Sequence, residues 1–121
     1  MADRFVIHQH KTGKPHYDLR IIQNDILRCW SLLHEPPRRS GEQRLAIERE
    51  SFDASALDCT RFEEQAFGIG NAYVWDKGDL NIADASAKHL LIDLQGAKLS
   101  GKYELKRMRW YPGNRWLLRK K

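Results

Sequence analysis

The chain has 121 residues, enough for one domain with a sizeable hydrophobic core but too few for two such domains. Lysine and arginine outnumber the acidic residues by 21 to 16, and the net charge of +5 with an isoelectric point of about 9.4 favours a polyanionic partner. The sequence has no run of about 18 apolar residues and no apolar segment near its start, so we expect no membrane span, no secretion signal and a cytoplasmic location.

The first segment, residues 4–22, alternates apolar and polar side chains on both sides of the turn-forming sequence KTGKP. Its apolar positions are Phe5, Ile7, Tyr17, Leu19 and Ile21. Apolar residues at every second position are typical of strands with one buried face, so the segment predicts an antiparallel hairpin.

The polar positions of this hairpin carry the residues that suggest chemistry. His8 and His10 share one face of the first strand, and His16, Asp18 and Arg20 share one face of the second. If the two faces coincide, imidazoles and a carboxylate form a nitrogen and oxygen set that suits Mn²⁺, Zn²⁺ or Fe²⁺, with an arginine beside it to hold a phosphate oxygen. The alternative is an exposed polar strand face with incidental histidines, and spacing alone does not decide between the two.

The middle of the chain continues the strand pattern. ILRCWSLL reads as a third strand, and the loop at residues 35–41 contains two prolines and a glycine that cannot continue it. His34 lies at the mouth of this loop. RLAIERE predicts a fourth strand, in which Glu48 points away from Leu45 and Ile47, and residues 53–57 form a short helix or a loop.

The second half predicts further short strands separated by turns. They are NAYVWD closed by Lys77 and Gly78, a strand at residues 79–82, HLLIDLQ, GKYELKRMR and RWLLRK, with ADASAK as a turn or helical patch. The expected fold is all-β, a compact antiparallel β-barrel of about eight strands with at most one or two short helices, or a strongly bent sandwich, as a single domain over residues 1–121.

Aromatic and cysteine residues add little chemistry to this interpretation. Trp30 and Trp75 lie in the middle of predicted strands and are expected in the core, whereas the pair at 110 and 111 is a weak candidate for contact with unpaired bases. Cys29 and Cys59 lack a C-x-x-C arrangement and are expected to be reduced thiols without a chemical role.

The sequence FVIHQHKTGKPHYDLR resembles the first motif of the 3′-phosphoesterase domain of bacterial DNA ligase D and its free-standing relatives. The similarity continues through CWSLL, RLAI, GNAYVWDKG and KLSGKYELKRM in the order of the family and covers nearly the whole chain. The resemblance implies a compact β-barrel that uses Mn²⁺, or another divalent ion such as Zn²⁺, to remove ribonucleosides or phosphates from DNA 3′ ends. It also implies that His10, His16 and Asp18 are metal ligands and that Arg20 contacts phosphate.

Two further positions differ from the family pattern and bear on catalysis. His34 replaces a lysine after the tryptophan strand, and Glu48 replaces a phosphate-site histidine. We expect Glu48 to face the hairpin site as a fourth metal ligand, or else to point into solvent and leave His34 as the phosphate donor.

The leading hypothesis is a metal-dependent phosphoesterase that acts on DNA 3′ ends or primer-templates in end-joining repair. A ligase, a polymerase or other end-joining proteins encoded separately are possible partners. The alternative is a DNA-end-binding module that keeps the metal site but has weak catalysis, and a purely structural or adaptor barrel has the least support.

Overall fold

A computed structural model of the chain describes residues 3–10, 16–23, 26–53, 72–86, 88–109 and 114–121, without the side chains at 10, 26, 50–53, 72 and 73. Among these residues no helix is long and apolar enough to span a membrane. The described residues form eight strands: β1 (Arg4–His10), β2 (His16–Gln23), β3 (Ile26–Leu32), β4 (Gln43–Asp53), β5 (Ala72–Ala85), β6 (His89–Gly96), β7 (Ser100–Arg107) and β8 (Arg115–Lys120).

The strands form a closed barrel in the order β1-β2-β3-β4-β8-β7-β6-β5, with β5 paired back to β1. Every neighbouring pair is antiparallel. The prediction of an antiparallel β-barrel of about eight strands is therefore confirmed. Closure leaves no unpaired edge among these strands, which removes the usual site of strand-mediated aggregation.

Alternation along each strand separates a packed interior from an outer face. The interior holds Phe5 and Ile7 of β1, Leu19 and Ile21 of β2, and matching apolar residues of the other strands. Trp30 and Trp116 pack edge to face there, with ring centroids 5.5 Å apart, and both are fully buried. The expected core positions of Trp30 and Trp75 are confirmed, while residues 110 and 111 lie outside the described part of the chain.

The prediction of two strands around Lys77 and Gly78 is wrong, because β5 runs without interruption from Ala72 to Ala85. Gly78 pairs with Gly96 of β6, and a β-carbon at position 78 would collide with the backbone of Gln95. The glycine therefore permits close strand approach and does not end the strand. Most of the predicted helix or loop at 53–57 lies outside the described residues.

A buried carboxylate organises the turn between β6 and β7. Asp76 of β5 is 4% exposed and points toward the interior, where Gly96 leaves room for it. Its two oxygens accept four backbone N–H groups, those of Lys77 and Ala97 (both 2.9 Å), Lys98 (3.1 Å) and Leu99 (2.8 Å). Because amides donate to the ionised form, they stabilise a buried charge without a cationic side chain.

Candidate functional site

The strand register brings the polar residues of the first hairpin onto one outer face of the barrel. His8 pairs with Asp18 across β1 and β2, and Asp18 pairs with Ser31 across β2 and β3. Directly paired residues of antiparallel strands point to the same side, and their neighbours Ile7, Leu19 and others fill the interior. The two polar faces of the hairpin therefore coincide.

Asp18 lies at the centre of this face and is only 5% exposed. The Ser31 hydroxyl donates to Asp18 Oδ1 at 2.7 Å. On the other oxygen, Oδ2, His16 Nε2 lies at 3.5 Å and Arg20 Nη1 at 3.6 Å. One oxygen is thus fixed by a hydrogen bond, and the other faces the groups that carry the predicted chemistry.

Arg20 is held from two sides at the base of the face. Its Nη1 lies 3.5 Å from His8 Nδ1, which must accept because a guanidinium only donates. Burial lowers the pKa of Arg20 from its usual value, and the neighbouring Cys29 and Asp18 oppose that shift. His8, which the resemblance does not include among the metal ligands, is 1% exposed and contacts this arginine.

Two of the three predicted metal ligands, His16 and Asp18, lie close together at this face. Two ligands about 2.1 Å from one ion and near the tetrahedral angle lie about 3.4 Å apart, and His16 Nε2 and Asp18 Oδ2 are separated by 3.5 Å. The third predicted ligand, His10, pairs in register with His16, but its side chain lies outside the described part of the chain. The described side chains alone contain no group of three metal-binding residues.

Arg49 also joins this polar cluster, although its position in the sequence did not mark it as a candidate. It pairs with Cys29 across β3 and β4, so it lies on the outer face with Asp18, and its Nε donates to Ser31 Oγ at 3.0 Å. Since Ser31 in turn donates to Asp18, the arginine fixes the direction of that hydroxyl. Strand alternation in RLAIERE could have indicated this position. Ala46 faces the core, so Arg49, three residues later, faces outward.

The expectation that Glu48 faces the hairpin site is wrong. Glu48 pairs with Trp30, an interior residue, and therefore projects to the opposite side of the sheet from Asp18. There Arg28 Nη2 donates to Glu48 Oε2 at 2.8 Å, and the same guanidinium stacks 4.8 Å from the ring centre of Trp30. The alternation within β4 was predicted correctly, but the polar cluster shares the face of Leu45 and Ile47.

His34 lies just past the end of β3 and is exposed. No hydrogen bond or ion pair joins it to Asp18, Arg20 or another described residue. The structure therefore does not bring His34 into the polar cluster, and its predicted role as a phosphate donor stays a prediction.

Cys29 is a buried free thiol beneath the cluster. Burial raises its pKa to about 11, with Arg20 and Arg49 lowering it and Asp18 raising it further. The thiol is therefore protonated at neutral pH and is no nucleophile there. Cys59 lies outside the described residues.

Comparison with known proteins places this geometry in a family. Residues 8–107 match the family described as the DNA Ligase D 3′-phosphoesterase domain. The chain is 29% identical over 124 residues to the multifunctional non-homologous end joining protein LigD of Mycobacterium bovis, covering 96% of this chain and 16% of that protein. It is 30% identical over 111 residues to the protein of the same name from Pseudomonas aeruginosa, covering 84% of this chain and 13% of that protein.

The chain thus spans about one-sixth of the length of its Mycobacterium bovis relative. The family match covers the end of β1 and all of β2 to β7, and it includes Asp18, Arg20, Ser31 and Arg49. The chain belongs to the DNA ligase D 3′-phosphoesterase domain family.

Proposed function

We propose that the protein is a divalent-metal-dependent phosphoesterase that removes a 3′-terminal ribonucleoside or phosphate from DNA ends during non-homologous end joining. Membership of the phosphoesterase domain family supports hydrolysis of a phosphate ester, and the names of the LigD relatives support end joining as the setting. The metal and the preferred 3′ group come from the resemblance of the first motif.

The observation that carries the proposal is the row of polar side chains that leads from β1 to β4 on the outer face. A buried carboxylate, Asp18, lies between a histidine at the open side and two arginines, Arg20 and Arg49. This arrangement provides a metal-binding oxygen and nitrogen next to cationic donors for a phosphate, which phosphoester hydrolysis requires.

His10, His16 and Asp18 would hold the metal, with Mn²⁺ as the first choice and Zn²⁺ as the second. A bound divalent ion polarises a phosphate oxygen and lowers the pKa of a water molecule. Ser31 keeps Asp18 Oδ1 occupied, so that Oδ2 is the oxygen directed toward His16. His8 contacts Arg20 and would restrict the orientation of its planar fork, which could then hold a phosphate oxygen.

Arg49 would supply the phosphate contact that was expected from His34 if Glu48 lay outside the site. Its Nε is bound to Ser31, its side chain is exposed, and its terminal nitrogens make no hydrogen bond with other described residues. A guanidinium anchored through Nε has lost part of its rotational freedom before substrate arrives, so a phosphate contact costs less entropy.

The test is a 3′-end processing assay on a primer-template that ends in a single ribonucleotide or a 3′ phosphate. We expect shortening or dephosphorylation of the primer with Mn²⁺ and none with EDTA. The Asp18→Asn protein is the matched control for contaminating nucleases, and replacing His10, His16 or Asp18 by alanine should weaken metal binding in a direct titration. Binding of the primer-template without any product, with all ligands intact, would contradict the proposal and support the end-binding module.

A further inference from the structure

The outer face of the barrel has a second property, a strong separation of charge around its circumference. On β7 and β8 the interior positions are Tyr103, Leu105, Trp116 and Leu118. Strand alternation therefore directs the intervening residues outward. The outward residues are Lys102, Glu104 and Lys106 of β7 with Arg115, Leu117 and Arg119 of β8.

Little on this part of the surface neutralises the cations. Lys102, Lys106 and Arg119 are exposed and form no ion pair with another described residue. The one acid among the outward residues of β7, Glu104, accepts from His89 at 2.7 Å and lies 3.7 Å from Lys121. Glu104 also pairs with Arg119 across β7 and β8, so the outward residues of the two strands are four cations and this one acid.

The neighbouring strands β6 and β5 carry more acids on their outer face, although Lys77 is exposed there and Asp93 pairs with Lys102 of β7. On β5 and β6 the interior positions are Leu80, Ile92 and Leu94, so Asp79 and Asp93 point outward. Asp84 is also exposed on this side. A polyanion would consequently be attracted to the β7 and β8 side and repelled from the β5 and β6 side.

The basic side is continuous with the candidate site. Ser31, which binds Asp18, pairs with Ile47 of β4, and Ile47 pairs with Arg115 of β8. Neighbouring strands lie about 4.8 Å apart, so β7 is roughly 19 Å along the sheet from β2. Arg49 stands between the two regions on β4.

We infer that the outer face of β4, β8 and β7 binds the phosphate backbone of the double-helical DNA next to the 3′ end, an assignment that rests on the proposed function for the position of that end. Lys106, Arg115 and Arg119 are its principal contacts. Their side chains sit on adjacent strands around the apolar Leu45 and Leu117, an arrangement that suits contacts to a regularly spaced phosphate backbone.

The experiment measures DNA affinity as a function of salt, in EDTA so that no turnover occurs. The probe is a fluorescein-labelled DNA duplex of about two helical turns with one recessed 3′ end, and fluorescence anisotropy reports binding. The double variant Lys106→Gln with Arg119→Gln is compared with Lys77→Gln with Lys98→Gln, which removes the same charge from β5 and from the turn after β6. Thermal unfolding checks that both double variants are folded. If a double variant does not fold, its two single variants are measured in its place.

We expect the slope of log affinity against log salt to become shallower by about 1.8 in the first double variant, about 0.9 for each lost phosphate contact, with roughly sixtyfold weaker binding at 0.1 M salt. The second double variant should keep the parent slope, and the single-stranded primer alone should show a smaller loss than the duplex. Equal losses in the two double variants, or equal losses for duplex and single strand, would overturn the inference. The binding experiment does not depend on turnover. If the parent protein processes no 3′ end but the first double variant shows the shallower slope, the proposed function is refuted and the inferred DNA surface is supported.

Discussion

Two buried aspartates show how the same side chain serves the fold in one region and the site in another. Asp76 is 4% exposed and Asp18 is 5% exposed, so burial does not distinguish them. Asp76 is bound by four backbone amides at a turn, whereas the hydrogen bond to Asp18 and its ion-pair neighbours come from side chains on β2 and β3. Partner type, and not burial, separates the turn carboxylate Asp76 from Asp18 of the candidate site.

The distinction has a physical basis. Backbone amides are fixed by the strands and the turn, so the position of Asp76 cannot change unless the backbone moves with it. Side-chain partners such as His16 and Arg20 reorient by rotamer changes alone, which lets Asp18 exchange a neighbour for a metal or a phosphate. Substitutions that remove the same charge at the two positions should therefore have different consequences.

The largest effect is expected for Asp18→Asn. Asparagine keeps an oxygen for the Ser31 hydroxyl but removes the charge that would bind the metal, so turnover should fall at least about a thousandfold, which is about 4 kcal/mol. The free energy of unfolding should fall by only about 1 kcal/mol. Single-turnover kinetics and urea unfolding measure the two quantities, with Asp79→Asn on the exposed face of β5 as the control. A variant that keeps full activity would remove Asp18 from the site.

Asp76→Asn should show the reverse pattern. The NH₂ group of asparagine would face the backbone N–H donors of Lys98 and Leu99 or those of Lys77 and Ala97, so one donor pair loses its acceptor. Two unsatisfied buried amides cost about 3 kcal/mol of stability. Metal affinity of the folded fraction should equal that of the parent in a titration well below the unfolding midpoint. If Asp76→Asn lowers the free energy of unfolding no more than Asp18→Asn does, the proposed difference between the two aspartates is wrong.

Arg49 tests whether a side-chain partner can also contact substrate. Arg49→Gln should raise KM about tenfold or more, about 1.4 kcal/mol, because a charged phosphate contact is lost. Arg49→Lys should restore part of this effect, since a lysine can contact phosphate as a point charge. Steady-state kinetics over a range of primer-template concentrations separates KM from kcat. Equal KM and kcat in the parent, Arg49→Gln and Arg49→Lys proteins would show that Arg49 only orients Ser31.

Glu48→His is expected to leave the site unchanged. Glu48 is bound by Arg28 on the other side of the sheet, so metal affinity and turnover should stay within about twofold of the parent. Loss of the partly buried ion pair should lower stability by about 1 kcal/mol. Metal titration, the end-processing assay and urea unfolding test this, with exposed Glu35→Gln as the control. A tenfold change in metal affinity would place Glu48 in the site after all.

The smallest effect concerns Glu104, a carboxylate at the surface. The hydrogen bond from His89 lowers the pKa of Glu104, with Lys121 adding to the shift and burial opposing it. A folded-state pKa below the unfolded value contributes stability above the unfolded pKa, and this contribution disappears as pH falls through the folded pKa. Glu104→Gln should thus cost less than about 1 kcal/mol near neutral pH, with the difference closing below about pH 4 in urea unfolding curves. A cost that is independent of pH would contradict this origin.

Much of the fold was predictable because strand alternation is a local property. The apolar positions of the first hairpin and the bounds of β8 follow directly from the sequence, and the barrel follows from many short strands without a long helix. The uninterrupted β5 was not predictable, because Gly78 is also a turn residue. Its role depends on the approach of Gln95, which lies on another strand.

The site was predictable within one hairpin and not between strands. His16, Asp18 and Arg20 share a face by alternation alone, and the structure places them together. Alternation also separates Glu48 from Arg49, but which of them joins Asp18 depends on the register between β3 and β4. A shift of one residue in that register would exchange the two side chains, and the sequence contains no local signal that fixes it.

The strand order also divides the barrel into two meanders, β1 to β4 and β5 to β8, that are joined along two seams. Pairs within a meander are neighbours in sequence, whereas the seams β1 with β5 and β4 with β8 join segments that are far apart. Closing long loops is entropically costly and slows folding, so we expect the seams to form late and to limit the refolding rate. All the described residues of the candidate site belong to the first meander, while the proposed DNA surface crosses the seam between β4 and β8. Weakening the pairing between β4 and β8 should consequently lower the affinity for duplex DNA before it changes the geometry around Asp18.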